Sequence, residues 1–205
     1  MDPIKALEEA GTAPVSDALS RQPGISGVRP VSIGKPVAGP AFTVRTTRSN
    51  WLPVARAVEE APQGSVIVVY DEEPLGAVWG ELMTRSAMAR GVKAALVYGY
   101  TRDTMEIREL GFPLYSLGTT PRAGAPGEGG ELGVELSLPG ARVRPGDLVV
   151  MDQDGVIVVP GEKLEEIVDA TRRILDLEAR IRAKIQDGKG LYTILLEEGL
   201  LGKVG

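Results

Sequence analysis

The chain has 205 residues, a formal net charge of −5, and neither histidine nor cysteine. The missing side chains exclude imidazole bases, thiol nucleophiles, disulfides and thiolate zinc sites. The excess of acidic residues argues against general binding to a nucleic-acid backbone, which depends on lysine and arginine. Any acid, base or metal ligand must therefore come from Asp, Glu, Lys, Tyr, Ser, Thr, the backbone or water.

The composition is typical of a globular protein, with 43% hydrophobic and 25% charged residues. No apolar run approaches the roughly 18 residues of a membrane span, and the first residues do not have the pattern of a secretory signal. We therefore expect one domain covering residues 1–205, a cytoplasmic location, and neither membrane nor nucleic acid as a partner.

Helical and strand patterns alternate in the first half of the chain. Helices are predicted over 3–10, 15–21, 51–61, 77–90 and 103–110, and strands over 41–46, 65–70, 94–98 and 113–116. The segment 22–40 is rich in glycine and proline and predicts a loop with short extended pieces. Strands that alternate with helices are typical of α/β folds.

The second half has a different organisation. A Gly/Pro-rich loop at 118–130 is long enough to suggest a function. Strands and turns are predicted over 131–159, then a long helix over 162–186 and a short one over 190–199. The whole pattern predicts a mixed α/β protein.

Arg102 and Asp103 directly follow the predicted buried strand at 94–98 and its short extension. Residues at the carboxyl ends of such strands lie where α/β proteins bind ligands. The arginine can bind a carboxylate through two hydrogen bonds, and the aspartate can bind Mg²⁺ together with water. The alternative is structural: Asp103 caps the next helix and Arg102 forms a surface ion pair.

The segment Gly80-Glu81-Leu82-Met83 lies near the start of the predicted helix 77–90. Free backbone N–H groups at a helix start favour an anionic ligand. Gly80 is unusual inside a helical pattern unless the backbone must approach something closely. The alternative is an ordinary helix in which Glu81 is solvated.

Glu178 lies on the apolar stripe of the predicted helix 162–186. A carboxylate in that position needs a partner, which could belong to a neighbouring subunit or be Arg182 on the same helix. Asp147, Asp152 and Asp154 resemble a metal cluster, but their turn context favours structural roles. The run 71–73 is interpreted as a solvated acidic loop.

Several ordered blocks resemble the family of 4-hydroxy-4-methyl-2-oxoglutarate aldolases and the related RraA regulators of ribonuclease E. They are Val15-Ser16-Asp17-Ala18-Leu19, residues 39–44, Trp79-Gly80-Glu81-Leu82, residues 98–103 and residues 145–160. The resemblance spans nearly the whole chain. It implies an α-β-β-α sandwich of the swivelling-domain type, assembled as a homotrimer or hexamer, with helix 162–186 in subunit contacts.

The resemblance also implies an activity. It is that of a Mg²⁺- or Mn²⁺-dependent class II aldolase that releases pyruvate from 2-oxo acids through a metal-stabilised enolate and also decarboxylates oxaloacetate. Asp103 would bind the metal, and Arg102 would hold the substrate carboxylate. The backbone from Gly80 to Met83, including Glu81 and Leu82, would cradle the same end of the substrate.

Two acidic residues complete the implied site. Glu81 occupies the first acidic position of an acid-x20-Arg-Asp signature and would hold metal-bound water. Glu178 would act across a subunit interface. Tyr98-Gly99 before the motif is more similar to the regulator branch, whereas Asp103 is more similar to the aldolases. A protein-binding regulator of RNA turnover and a dicarboxylate-binding module therefore remain as alternatives.

Overall fold

The computed structural model describes residues 2–201. The predicted domain bounds of 1–205 thus include residue 1 and residues 202–205, which lie outside the described part. The described residues form seven α-helices and eleven β-strands, so the prediction of a mixed α/β fold is confirmed. Within 2–201, no helix combines the length and apolar character needed to cross a bilayer.

The helices are α1 (Pro3–Ala10), α2 (Thr12–Ala18), α3 (Leu52–Glu60), α4 (Glu81–Ala89), α5 (Thr104–Leu110), α6 (Leu164–Gln186) and α7 (Leu191–Glu197). The strands are β1 (Arg29–Ser32), β2 (Val37–Thr46), β3 (Val66–Asp71), β4 (Ala77–Trp79), β5 (Ala94–Thr101), β6 (Leu114–Thr119), β7 (Glu131–Leu132), β8 (Leu136–Leu138), β9 (Ala141–Val143), β10 (Leu148–Met151) and β11 (Val156–Val159).

Nine strands form one sheet in the order β1-β6-β5-β3-β2-β10-β11, with β4 beside β5 and β7 beside β2. Strand β2 joins a parallel part to an antiparallel part, because residues 37–40 pair with β10 and residues 41–46 pair with β3. Gly39 lies near this change of partner. A Cβ there would come within 2.4 Å of the Gly64 carbonyl oxygen, so the backbones can approach this closely only with glycine.

The parallel strands are buried on both faces, which explains their continuous apolar sequences. In β3, Ile67 and Val69 belong to a cluster that includes side chains of α3, α4 and α5. Val66 and Val68 belong to a second cluster that includes side chains of β8 to β11. A third cluster joins β10 and β11 to α1, α2 and α6.

Two helix predictions are wrong at their starts. The helix predicted over 77–90 begins at Glu81, because residues 77–79 form β4 beside β5. Three apolar residues before a helix are compatible with either structure in the sequence alone. The helix predicted over 15–21 is α2 at residues 12–18, since Pro14 is tolerated in a first helical turn.

Candidate functional site

Asp103 connects β5 to α5 in an unusual backbone conformation, with φ of 57°. Residues other than glycine rarely adopt this left-handed region, and when they do they are often found at functional sites. The side chain does not cap α5. Its Oδ2 instead accepts the backbone N–H of Glu81 at 3.1 Å, at the start of α4. The capping interpretation is therefore wrong, and the carboxylate joins two segments of the predicted motif.

Arg102 lies beside this carboxylate. Its backbone N–H donates to the Trp79 carbonyl oxygen at 3.0 Å, which fixes the turn against β4. Its Nε is 3.5 Å from Asp103 Oδ2, and the arginine side chain is 44% exposed. This contact uses one edge of the guanidinium group, so the group can still bind an anion from solvent.

Gly80 allows the Asp103 carboxylate to lie close to the backbone. A Cβ added there would lie 2.6 Å from Asp103 Oδ2 and 3.3 Å from Arg102 Cγ. Its φ of −158° is accessible to any residue, so the constraint is steric and not conformational. The close approach expected at Gly80 is present, but Gly80 precedes α4 and does not lie inside a helix as predicted.

The start of α4 leaves backbone donors available. The first N–H groups of a helix have no intrahelical acceptor. That of Glu81 is taken by Asp103, and that of Thr84 donates to the Gly80 carbonyl oxygen at 3.0 Å. The amides of Leu82 and Met83 lie between these two. Their position suits a small anionic group.

In the described part of the chain, no hydrogen bond or ion pair joins the Glu81 side chain to Arg102 or Asp103. That side chain pairs with Arg85, one turn along α4. Glu178, on α6, pairs with Arg182 at 3.3 Å and does not line the cavity beside Asp103. Within residues 2–201, no group of three or more Asp or Glu side chains could together hold a metal ion.

A cavity of about 390 Å³ adjoins the motif, a volume in the range of small-molecule sites. Most of its lining is apolar. The lining residues are Trp51, Ala55, Glu59, Ala77, Val78, Trp79, Gly80, Leu82, Met83, Ser86, Arg102, Asp103 and Ala123. The structure thus brings together Gly80, Leu82, Met83, Arg102 and Asp103, as the sequence predicts.

The contribution of α3 to the cavity was not predicted. Trp51 directly precedes this helix, and Ala55 and Glu59 lie on it at a spacing of four residues. Residues four apart share one face of a helix, so the sequence does show that they lie together. The sequence does not show that this face packs beside α4.

Asp71 was wrongly assigned to a solvated loop. It ends β3 and is only 1% exposed, and both carboxylate oxygens accept from Ser49, from the hydroxyl at 2.9 Å and the amide at 3.3 Å. Burial raises the pKa of Asp71, and the Ser49 hydrogen bonds oppose that rise. Its place at the end of a buried strand, as for Arg102, was the signal that could have identified it.

Asn50 ties the Gly-rich loop to the cavity wall. Its amide nitrogen donates to the carbonyl oxygens of Gly127, Glu128 and Gly129 at 3.1 to 3.3 Å. Its side-chain oxygen accepts from the Gly127 amide at 3.0 Å. The long loop is therefore an ordered part of the structure beside Ala123.

Asp147 and Asp152 have the structural roles that their turn context predicts. Asp147 accepts the amides of Arg144 at 2.8 Å and Gly161 at 3.0 Å. Asp152 accepts both the amide and the hydroxyl of Thr12 at 2.6 Å. Their carboxylates are thus occupied in holding turns and α2 in place.

One family model and several known proteins match this chain. Residues 12–158 match the model of the RraA-like family, described as Aldolase/RraA. A putative 4-hydroxy-4-methyl-2-oxoglutarate aldolase of Halalkalibacterium halodurans is 34% identical over 186 residues, which cover 89% of each protein. The 4-hydroxy-4-methyl-2-oxoglutarate aldolase of Thermus thermophilus is 35% identical over 124 residues, 60% of this chain and 75% of that protein.

One solved structure that resembles the chain has a different description. It is Streptomyces coelicolor RraAS2, described as an unusual member of the RNase ES inhibitor RraA protein family. The two share 29% sequence identity and a TM-score of 0.77, over 88% of this chain and 96% of that one. The matches therefore include proteins named as enzymes and proteins named as inhibitors.

Proposed function

Because the chain belongs to the RraA-like family, with relatives named as 4-hydroxy-4-methyl-2-oxoglutarate aldolases, we propose that it is a carbon–carbon lyase of this kind. It would cleave 4-hydroxy-4-methyl-2-oxoglutarate-type acids to pyruvate and decarboxylate oxaloacetate. The observation that carries the proposal is the contact between the Asp103 carboxylate and the Glu81 amide, beside Arg102, where Arg102 and Asp103 line a cavity.

The substrate's 2-oxo acid end would bind at the start of α4. The amides of Leu82 and Met83 and the guanidinium of Arg102 supply hydrogen-bond donors and positive charge for its carboxylate. In the retro-aldol reaction, a water held at the site would take the proton of the hydroxyl group that becomes the second carbonyl. The electron pair of the broken carbon–carbon bond would stay on the pyruvate fragment as its enolate, which water then protonates; from oxaloacetate the leaving group would be CO₂. Arg102 would stabilise the negative charge of that enolate, because a fixed cation stabilises developing charge most strongly where water is partly excluded.

The residues fit a divalent cation that keeps most of its water. Mg²⁺ is commonly held by one or two carboxylates plus water, and Asp103, whose side chain is 37% exposed, offers one. When bound, Mg²⁺ or Mn²⁺ would supply Lewis-acid polarisation of the 2-oxo group. Asp103 would hold the cation, and Glu81, once released from Arg85, would orient its water.

The finer architecture is also part of this proposal. We assign the chain to a single domain of the swivelling α-β-β-α type, located in the cytoplasm and assembled as a homotrimer or a pair of trimers. The C-terminal helix, predicted over 162–186, would contact a neighbouring subunit and present Glu178 to its site. The expected partner is a small 2-oxo acid, and not a nucleic acid or a membrane.

The second candidate is a protein-binding regulator of RNA turnover that keeps the fold without the chemistry. It is favoured by the similarity over 88% of the chain to RraAS2. Tyr98-Gly99 before the Arg-Asp pair also resembles that branch.

Pyruvate release separates the two candidates. We expect turnover of oxaloacetate and 4-hydroxy-4-methyl-2-oxoglutarate with Mg²⁺ or Mn²⁺, and its loss with EDTA. Folded, oligomeric protein without turnover of either compound would contradict the enzyme proposal and favour the regulator.

Asp103→Ala should reduce metal-dependent turnover at least about a hundredfold while the protein stays folded, as measured by initial rates and circular dichroism. Glu106→Ala is the matched control, since it removes an exposed carboxylate three residues away on α5. Equal activity in the two variants would remove Asp103 from the site.

A further inference from the structure

Asp71 is a buried carboxylate that the proposed reaction does not use. It is 1% exposed, and burial raises its pKa. No ion pair joins it to a lysine or arginine anywhere in residues 2–201. Its two oxygens accept the hydroxyl and the amide of Ser49. A carboxylate costs free energy in a buried place where no cation compensates it, and these hydrogen bonds offset part of that cost.

The Ser49 hydroxyl uses all of its hydrogen-bonding capacity. A hydroxyl can donate one hydrogen bond and accept two. That of Ser49 donates to Asp71 Oδ2 at 2.9 Å and accepts the amides of Leu75 at 2.8 Å and Gly76 at 2.7 Å. An ionised carboxylate only accepts, so Asp71 fixes the hydroxyl proton and leaves both lone pairs for the two amides.

The backbone at Ser49 has an uncommon conformation. Arg48 and Ser49 have φ angles of 52° and 56°, in the left-handed region. Residues other than glycine rarely adopt this region, and they stay there only where the surrounding contacts hold them. Asp71 supplies such contacts, because it accepts the Ser49 amide as well as the hydroxyl. The Ser49 carbonyl oxygen packs against Gly124 so closely that a Cβ on that glycine would overlap it.

The two amides that Ser49 accepts belong to the segment 75–76, which leads directly into β4. All of β4 lines the cavity, as does Gly80, which follows it. At the end of β4, the Trp79 carbonyl oxygen accepts the Arg102 amide at 3.0 Å. Backbone bonds to β5 and to the loop 118–130 also hold β4. Loss of the Ser49 bonds should therefore shift the strand without unfolding the sheet.

We propose that Asp71 and Ser49 are positioning residues for the cavity wall that β4 forms. Asp71 orients the Ser49 hydroxyl, and the hydroxyl fixes the segment that enters β4. The pair thereby sets the approach of Gly80 to Asp103, where a misplacement of about 1 Å can lower turnover severely. The proposal rests on the proposed function for the reaction affected, whereas the placement of β4 does not depend on it.

Ser49→Ala tests the proposal, with Thr12→Ala as the matched control. Thr12 also donates its amide and hydroxyl to one carboxylate, that of Asp152, and it does not line this cavity. Where circular dichroism shows both variants folded, Ser49→Ala should lower kcat/KM for pyruvate release from oxaloacetate at least about tenfold, and Thr12→Ala less than about twofold. Equal losses, or no loss in Ser49→Ala, would overturn the proposal.

A double-mutant cycle tests whether Asp71 acts through Ser49. Asp71→Asn keeps the size of the side chain but replaces one acceptor oxygen by a donor, so the hydroxyl is no longer held in one orientation. This change should lower kcat/KM alone, but less than about twofold in the Ser49→Ala background. Losses that multiply would contradict action through Ser49. If Ser49→Ala does not fold, Asp71→Asn is compared with Thr12→Ala by the same criteria.

Amide hydrogen exchange reports the position of β4 without turnover. Ser49→Ala should increase exchange at least about tenfold in residues 77–82 and at the Arg102 amide, which donates to Trp79. Faster exchange limited to residues 75–76 would show only the loss of their own bonds and overturn the proposal. Faster exchange at β4 in a protein that releases no pyruvate would support the positioning role and reject the lyase. Pyruvate release that Ser49→Ala leaves unchanged would support the lyase and reject the positioning role.

Discussion

At the scale of single residues, Gly80 shows how one missing atom shapes the candidate site. Its Cα approaches the Asp103 carboxylate so closely that a Cβ would lie 2.6 Å from Oδ2. The carboxylate would have to move, and its 3.1 Å hydrogen bond to the Glu81 amide would be lost. The backbone angles at Gly80 suit any residue, so an alanine there would displace the carboxylate without straining the backbone.

Gly80→Ala should therefore reduce turnover at least about tenfold, with a smaller change in thermal stability than a core substitution causes. Pyruvate-release rates and a thermal melt measure the two effects. Gly34→Ala is the control, because nothing lies within 4 Å of its added Cβ and its φ is not positive. If both variants keep wild-type rates, the close contact at Gly80 is not needed for activity.

Tyr115 makes a residue-scale prediction outside the site. Burial, followed by the charges of Asp152 and Asp154, raises its pKa from 10 to about 12. Its hydroxyl donates to the Asp152 carbonyl oxygen at 2.8 Å, which anchors β6 beside the β10–β11 turn. Since folding favours the neutral phenol, its contribution to stability is full below pH 10 and is lost as the pH rises toward about 12.

Ultraviolet titration of the five tyrosines should show one that ionises last, near pH 12, and Tyr115→Phe should remove that step. Tyr192→Phe is the control, because that side chain is 69% exposed. A last step that persists in Tyr115→Phe would assign it to another residue.

At the scale of elements, one side chain makes several hydrogen bonds to the loop between β6 and β7. Asn50 donates to three consecutive carbonyl oxygens of the loop and accepts one of its amides. Asn50 is itself 5% exposed, so these bonds replace water almost completely. Backbone bonds hold the start of the loop against β4, because the Ala77 amide donates to the Arg122 carbonyl oxygen and the Gly124 amide donates to the Ala77 carbonyl oxygen, both at 2.8 Å. Asn50 restrains the Gly-rich part that follows, whose backbone has high entropy when free.

Asn50→Ala should increase amide hydrogen exchange in residues 123–130 at least about tenfold, with little change in the central strands. Asn50→Asp keeps the acceptor of the Gly127 amide but turns a carboxylate oxygen toward the three carbonyl oxygens, so exchange should increase at least as much as in Asn50→Ala. Unchanged exchange in both variants would show that the loop is held by other contacts.

Some of these elements could be predicted from the sequence and others could not. The buried strands β3 and β5 were visible as apolar runs because both of their faces are covered. Strand β4 was missed because three residues are too few to show a period. The Arg102–Asp103 pair was found from its place at a strand end, whereas the contact of α3 with the cavity depends on packing that no local pattern encodes.

At the scale of the whole molecule, α6 is only partly covered by the other described elements. Its first half is buried at Ile167, Val168 and Thr171, against α1, α2 and β11. Farther along α6, the apolar side chains are less buried, and Ile185 is 44% exposed. Glu178 lies in this less buried second half of α6. A partly exposed apolar stripe of this kind suits a subunit contact.

Mixing two inactive variants tests whether Glu178 acts across that contact. Arg102→Ala and Glu178→Ala should each lose most pyruvate release when prepared alone. In mixed trimers assembled from equal amounts, a site is complete when its own subunit has Arg102 and its neighbour has Glu178. Random assembly gives this pairing with a probability of one half times one half, so about a quarter of wild-type activity should return.

The same mixture rejects the arrangement under two clear results. If Glu178 serves its own subunit, mixing restores nothing, since no subunit then holds both side chains. If Glu178→Ala alone keeps full activity, the pairing of Glu178 with Arg182 at 3.3 Å is its whole role. Arg182→Ala separates these cases further, because removing that partner frees Glu178 without removing its carboxylate and should leave an intersubunit site active.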